Sequence, residues 1–176
     1  MDNKILKKAK KINLIGMDID GVLTAGELII LNSNEEIKIW NIKDRFAYTM
    51  LQKCSIPIKL AWISGRNSKQ VKIRAKELKI DYVFLGITNK LECFNKIVND
   101  GYKPEEIAYI GDDWLDIPIL KRAGLSICPK DATEEVKKIV DYISKYDGGK
   151  GVFRETVEII LKAKNIYNRI FNGYNF

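Results

Sequence analysis

The sequence predicts a single α/β domain on a Rossmann-like parallel sheet with helices on both faces, and three observations carry that prediction. Short apolar runs alternate with amphipathic stretches of about ten residues, which is the pattern of repeated βαβ units. The 176 residues are 46% apolar, 30% charged and 10% aromatic, the composition of one globular domain. A chain of this length buries roughly 70% of its unfolded surface, enough for a core without disulfide or metal staples. No internal repeat, low-complexity segment or linker divides the chain, so residues 1–176 are read as one domain.

In order, Lys11–Met17 reads as a first buried strand that stops at Asp18. An insertion follows at about residues 27–42. Leu28–Leu31 and Glu36–Ile42, joined through Asn32-Ser33-Asn34, read as an antiparallel β-hairpin. Its apolar content exceeds what a hairpin projecting into water justifies, so it is expected to pack on a partner subunit, or else to lie on its own domain. Asp44–Cys54 is helical by period, and Ile58–Ile63 is a second core strand ending at Ser64-Gly65. Ser68–Leu78 is a helix with Asn67 or Ser68 as N-cap. Strand Tyr82–Leu85, helix Lys90–Val98, strand Ile107–Ile110, helix Asp116–Ala123 and strand Leu125–Ile127 complete the alternation. Pro104 turns the chain before Ile107, and Gly124 stops a helix. A C-terminal helix and tail occupy about 152–176.

The composition excludes several chemistries. There is no histidine, which removes Ser-His-Asp and Cys-His triads, phosphohistidine chemistry and every His-ligated metal site. Cys54, Cys93 and Cys128 are odd in number and widely spaced, so neither a disulfide framework nor a thiolate zinc site is expected, and a reducing cytoplasm fits best. No stretch reads as a cleaved signal or a membrane span. The net charge of +7 is clustered: residues 1–11 carry +4, residues 59–79 carry +6 and residues 150–176 carry +3. Such clusters suit nucleic acid, a membrane surface or an anionic small substrate, and also arise on solvated helix faces.

Four polar clusters each follow a buried strand and therefore share one edge of the sheet, where ligands of such folds bind. The first is Asp18-Ile19-Asp20-Gly21-Val22, whose carboxylates can enter one crevice while Gly21 lets backbone amides approach an anion. The second is Ser64-Gly65-Arg66, a hydroxyl, an amide and a guanidinium suited to phosphate oxygens, or an ordinary turn before a helix. Lys90 is the third, a cation at a helix N-terminus, against the helix dipole. The fourth, Gly111-Asp112-Asp113 with Asp116, is a hard-oxygen cluster suited to Mg²⁺, although Asp113 has a second reading as a helix cap.

In that order, an acid pair in D-x-D-G-V, a hydroxyl, a lysine and G-D-D-x-x-D, the chain resembles the haloacid dehalogenase superfamily of phosphohydrolases. Residues 18–24, 63–66, 111–118 and 148–155 resemble its branch of 3-deoxy-D-manno-octulosonate 8-phosphate and acylneuraminate-9-phosphate phosphatases. The resemblance covers about residues 10–162. It implies a capless domain whose hairpin and C-terminal segment help close a neighbour's site in a homotetramer. It also implies that Asp18 attacks phosphorus and forms an aspartyl-phosphate, while Asp20 protonates the leaving alkoxide and then activates water. Mg²⁺ would sit on the Asp18 carboxylate, the Asp20 carbonyl and Asp112; Ser64 and Lys90 would hold phosphate oxygens, with Asp116 or Asp113 as the anion for Lys90. Gly65, Arg66, Asp113 and Arg154 are the expected substrate contacts, Arg154 from an adjacent subunit. Two departures stand out: Asp44-Arg45-Phe46-Ala47 replaces the family's D-G-x-G at the rim where the sugar sits, and Asn89 replaces an acidic residue.

The expected activity is Mg²⁺-dependent hydrolysis of an acidic sugar phosphate of the 3-deoxy-D-manno-octulosonate 8-phosphate type, or of a nine-carbon sialic-acid-type 9-phosphate. The basic excess after Ser64, at Arg66, Lys69, Lys72 and Arg74, then serves an anionic sugar, with neither nucleic acid nor membrane as partner. Two other classes compete. A phosphoaspartate signalling module shares the residue types, but such receivers place their acid pair early and the phosphorylated Asp after the third strand. A basic nucleic-acid-binding protein on a degenerate phosphatase fold rests on charge alone.

Overall fold

A computed structural model describes residues 2–33 and 35–173; Asn34 of the expected turn and the last three residues of the expected tail lie outside the described residues. The chain opens with a helix the sequence reading did not anticipate. In α1 (Asn3–Lys11), Ile5 and Ala9, four positions apart, form a buried stripe beneath a coat of lysines, and Asp2 caps the first turn by accepting from the Lys4 amide at 2.9 Å. The first strand, β1, is therefore Leu14–Met17 rather than Lys11–Met17.

The remaining elements are β2 (Ile29–Ile30), β3 (Glu36–Ile37), α2 (Ile42–Gln52), β4 (Lys59–Ser64), α3 (Lys69–Leu78), β5 (Tyr82–Leu85), α4 (Lys90–Asn99), β6 (Ile107–Ile110), α5 (Ile117–Leu120), β7 (Leu125–Cys128), α6 (Glu134–Lys137), β8 (Tyr142–Ile143), α7 (Val152–Ala163) and α8 (Tyr167–Asn172). Six parallel strands form one sheet in the order β5-β4-β1-β6-β7-β8. The expected helix 116–123 is instead a 3₁₀ turn at Trp114–Asp116 running into the single turn of α5, where Pro118 occupies an early helical position. Ser68 is the N-cap of α3, accepting from the Val71 amide at 3.3 Å.

Side-chain alternation along the strands makes two cores. Ile15, Met17, Leu60, Trp62, Ala108 and Ile110 face α1, α2, α3 and α7; Leu14, Ala61, Ile63, Ile107 and Tyr109 face α4, α5 and α6. Both faces are covered, as a parallel sheet requires. Burying a side chain such as Phe153 or Ile160 of α7, each 0% exposed, stabilises by about 1.5–3 kcal/mol.

The hairpin is confirmed as a separate antiparallel pair, Ile29 opposite Ile37 and Ile30 opposite Glu36, but only two residues of each strand pair. Leu28, Ile29, Ile30, Leu31, Ile37 and Ile39 remain exposed, Ile39 at 69%. At the hairpin's base, Trp40 stacks on buried Trp62 with centroids 5.6 Å apart. The D-G-x-G departure lies inside α2: Arg45 donates to Thr49 Oγ1 at 2.8 Å and Ala47 is fully buried, so both replacements sit in regular helix, where each is a better former than glycine by up to about 1 kcal/mol.

Candidate active site

Sheet register assembles the site. Met17 is level with Trp62 of β4 and Ile110 of β6, so Asp18, Ser64 and Gly111-Asp112 leave the sheet side by side at its carboxyl edge. The Asp18 amide still donates to the Ile110 carbonyl at 3.0 Å, holding the first acid at the strand end. Ser64 is level with Leu85, the last residue of β5, and the chain re-enters at Lys90, the first residue of α4.

Lys90 is the hub. Its side chain is 2% exposed, and its ammonium lies 2.8 Å from Asp116 Oδ1 and 3.1 Å from Asp18 Oδ2. Burial disfavours that ammonium, but Asp116 and Asp18 outweigh it and hold Lys90 above its ordinary value. Of the two anions expected for Lys90, the structure selects Asp116. That carboxylate is fully buried and accepts from the Tyr109 hydroxyl at 2.7 Å and from the amides of Asp112 at 3.1 Å and Asp113 at 3.4 Å. Asp113 is exposed and caps the 3₁₀ turn, its Oδ1 accepting from the Trp114 amide at 2.7 Å.

The carboxylates of Asp18, Asp112 and Asp116 each offer an oxygen within 4.8 Å of the others. Burial, followed by the charge of Asp116, raises Asp18 to about 7; burial, then Asp18 and Asp116, raises Asp112 to about 8. Asp112 Oδ1 is buried without a hydrogen-bond partner among the described residues. Crowded acids that resist ionisation, one with an orphaned oxygen, fit a divalent cation bound by hard oxygens. Two of these three carboxylates, Asp18 and Asp112, belong to the expected metal set, whose third member was the Asp20 backbone carbonyl; the third clustered side chain is Asp116. Gly21 makes the fit possible. Its φ is +90°, and a Cβ there would lie 2.1 Å from Asp112 Oδ2.

Asp20 meets Lys38 and Thr24, to which the sequence reading gave no role, and Arg66, which it named. Its Oδ1 pairs with the Lys38 ammonium from the hairpin and accepts from Thr24 Oγ1 at 3.4 Å, and its Oδ2 is 4.0 Å from Arg66 Nε. Arg66, partly exposed, also donates to Glu36 Oε2 at 2.9 Å. The signal in the sequence was Glu36-Ile37-Lys38-Ile39, where charged and apolar residues alternate and so occupy opposite faces of a strand. Ser64 is buried, and its Oγ accepts from the Arg66 amide at 3.1 Å. Gly65 is exposed at the mouth of a cleft of about 700 Å³, lined also by Arg66, Ser68 and Glu36, between the hairpin and the start of α3.

Arg154 is not gathered with these groups. Its Nε pairs with Glu158 Oε1 at 2.6 Å and its guanidinium lies over Phe46, 4.8 Å from the ring centroid. The backbone before it does reach the site: a Cβ on Gly148 would fall 2.0 Å from the Gly21 carbonyl oxygen, so only glycine lets this segment press on the loop carrying Asp20. Asp44, expected at a sugar-binding rim, is 3% exposed and accepts from the Arg154 amide at 2.8 Å, joining α2 to the start of α7.

The chain is similar to known proteins along most of its length. A model of the haloacid dehalogenase-like hydrolase family matches residues 86–155. The 3-deoxy-D-manno-octulosonate 8-phosphate phosphatase KdsC of Escherichia coli K12 is 34% identical over 163 residues, 91% of this chain and 85% of that protein. The crystal structure of such a phosphatase from Moraxella catarrhalis, in complex with magnesium, phosphate and a KDO molecule, superposes with a TM-score of 0.95 at 35% identity, covering 99% of this chain and 100% of that one. A probable YrbI family phosphatase from Pseudomonas syringae gives 0.94 at 34% identity, with 98% of each chain covered. With its acids, hydroxyl and lysine on one edge of a six-stranded parallel sheet, and with relatives of this similarity along nearly its whole length, the chain belongs to the haloacid dehalogenase-like hydrolases and is an enzyme of their phosphatase type.

Proposed function

We propose that this single domain is a Mg²⁺-dependent phosphomonoesterase of an acidic sugar phosphate, of the 3-deoxy-D-manno-octulosonate 8-phosphate type. The observation that carries the reading is the Lys90 ammonium bridging Asp18 and Asp116 at the strand ends, beside Ser64 and Asp112. The similarity to phosphatases named for that substrate supports the substrate class.

Asp18 Oδ2, held toward Lys90, is the nucleophile; its Oδ1 accepts from the Ile19 amide at 2.7 Å, which fixes the carboxylate plane. Attack on phosphorus forms an aspartyl-phosphate and breaks the bond to the sugar oxygen, whose proton comes from Asp20. Asp20 then takes a proton from the water that cleaves the acyl phosphate. Ser64 Oγ and Lys90 Nζ hold the phosphoryl oxygens while charge spreads over them. Asp18, Asp112 and the Asp20 carbonyl would hold Mg²⁺, which when bound neutralises charge between an anionic nucleophile and an anionic ester. Asp116 serves by keeping Lys90 in place. Arg66 and Gly65 face the cleft where the sugar lies, with Asp113 at the rim.

The exposed apolar hairpin supports assembly with further copies of the chain, a tetramer being our reading, in which Arg154 serves a neighbouring site. Three unpaired cysteines agree with a cytoplasmic enzyme.

The test is turnover with Mg²⁺ across eight- and nine-carbon acidic sugar phosphates and neutral hexose phosphates, with Asp18→Asn alongside. Preference for an eight-carbon acid and loss of turnover in the variant are expected. Equal or better rates on the neutral sugars overturn the acidic-sugar assignment, and an active Asp18→Asn overturns the covalent route.

A further inference from the structure

We infer that Lys38, reaching in from the hairpin, is a positioning residue that aims Asp20 for proton transfer to the departing alkoxide, so that the hairpin takes part in the chemistry of its own subunit. The inference rests on the phosphatase reading above and deepens it.

Three observations carry it. The first is burial: the hairpin around Lys38 is largely exposed, with Ile37 at 42% and Ile39 at 69%, yet the Lys38 side chain is 1% exposed. A lysine that served only solubility would point the other way, since residues two apart on a strand share a face and Glu36 and Lys38 both turn toward the sheet edge. The second is the division of labour between the two Asp20 oxygens. Oδ1 is taken by the Lys38 ammonium and Thr24 Oγ1, whereas Oδ2 is buried and has no hydrogen-bond partner among the described residues. One oxygen is pinned and the other is left for a ligand. The third is a second strut: Glu36, two residues before Lys38, accepts from Arg66 at 2.9 Å, and the Arg66 Nε stands 4.0 Å from Asp20 Oδ2. Lys38 and Arg66 thus bracket the Asp20 carboxylate from the hairpin and from the end of β4.

A carboxyl group on a short side chain rotates freely about its bonds unless something holds it, and proton transfer demands heavy-atom approach within hydrogen-bond reach in the reacting geometry. Lys38 supplies that hold and a compensating charge when Asp20 gives up its proton. Its loss should therefore show where a proton is needed by the leaving group and vanish where it is not. An alkyl phosphate expels an alkoxide and needs the acid; p-nitrophenyl phosphate expels a stabilised phenolate and does not. The ratio of kcat/KM values for the two esters isolates this step, because kcat/KM covers events only through departure of the alcohol and leaves out hydrolysis of the aspartyl-phosphate.

The experiment compares wild type, Lys38→Met and Lys38→Gln on 3-deoxy-D-manno-octulosonate 8-phosphate and other primary-alcohol sugar phosphates against p-nitrophenyl phosphate, with thermal melts of each protein. Methionine keeps the length and apolar stem of the buried side chain, and glutamine keeps a donor without the charge, so if one variant fails to fold the other carries the same comparison. The alkyl-to-aryl ratio is expected to fall about tenfold or more, a part of the 10²–10⁴-fold that a general acid contributes, and Lys38→Arg is expected to restore much of it. An equal loss on both esters, including a shared rise in KM, overturns the inference by making Lys38 a substrate contact or a structural ion pair, and unchanged rates overturn it also. Wild-type protein inactive on every ester overturns the phosphatase reading itself, and this inference with it.

Discussion

Replacing Asp116 by asparagine probes the hub of the site with one atom. The carboxylate accepts four hydrogen bonds, from Lys90 at 2.8 Å, Tyr109 at 2.7 Å and the amides of Asp112 and Asp113 at 3.1 and 3.4 Å, and none of it touches water. An asparagine keeps one acceptor and turns the other into a donor. Either its NH₂ meets the two backbone amides, or it meets the Lys90 ammonium and the Tyr109 hydroxyl. Each buried donor left without an acceptor costs about 1–3 kcal/mol, and removing one partner of a buried ion pair costs about 3–5 kcal/mol. Taking about 3–5 kcal/mol for the whole, and about 2–4 °C per kcal/mol for a chain of this size, the melting temperature should fall by about 6–20 °C. Activity should fall further than stability explains, since Lys90 loses its anchor and misplacement by about 1 Å costs about a hundredfold in rate. Differential scanning calorimetry and kcat/KM at a temperature where the variant is folded measure both. A melting shift below about 2 °C, less than about 1 kcal/mol by the same conversion, together with near-normal turnover would refute the assignment of Asp116 as the counter-ion that organises Lys90.

Two further expectations concern pH. Asp18 at about 7 and Asp112 at about 8 carry protons near neutrality that a divalent cation must displace, so Mg²⁺ should bind more tightly as pH rises through 7–8 and its binding heat should depend on the buffer's ionisation enthalpy; calorimetry showing constant affinity from pH 6 to 8.5 would contradict it. Burial raises Asp44 to about 6 against an ordinary 3.8, so the native state binds the extra proton and the stability it brings is complete below the unfolded value and lost as pH rises through about 6. Over about two pH units that is about 3 kcal/mol. Asp44→Asn, which mimics the protonated acid, should gain that much on wild type in urea unfolding between pH 4 and 6.5, and a constant difference across the range would show that the carboxyl does not titrate there.

What the sequence made legible follows from how locally each feature is encoded. Strand β6 matches its apolar run residue for residue because a buried parallel strand is apolar on both faces and stops where polar residues begin, and the edge strand β5, with Val83 exposed, matches its run as well. The same stops located Asp18, Ser64, Lys90 and Asp112. Helix α1 was hidden by its lysines, which outnumber the two buried positions that define its inner face. Strand β8 has only two residues and α6 one turn, too short for a period to show. The partners of Lys38, Asp44 and Gly148 were unreadable for another reason: only the tertiary fold brings them near, and nothing in the neighbouring sequence names them. The Arg45 and Ala47 replacements lie within helix α2, which the pattern D-x-x-x by itself does not reveal.

Gly148 has a temporal consequence. The backbone segment that presses on Gly21 follows it by 127 positions, so the loop bearing Asp20 leaves the ribosome long before its clamp exists. At about 5–20 residues per second that interval is about 6–25 s. Strand β1, flanked by β4 and β6 in the finished sheet, waits for both neighbours over much of the same period. A nascent chain can thus carry Asp18, Asp20, Ser64, Lys90 and Asp112 and still lack the packing of the Asp20 loop until the segment near residue 148 has docked.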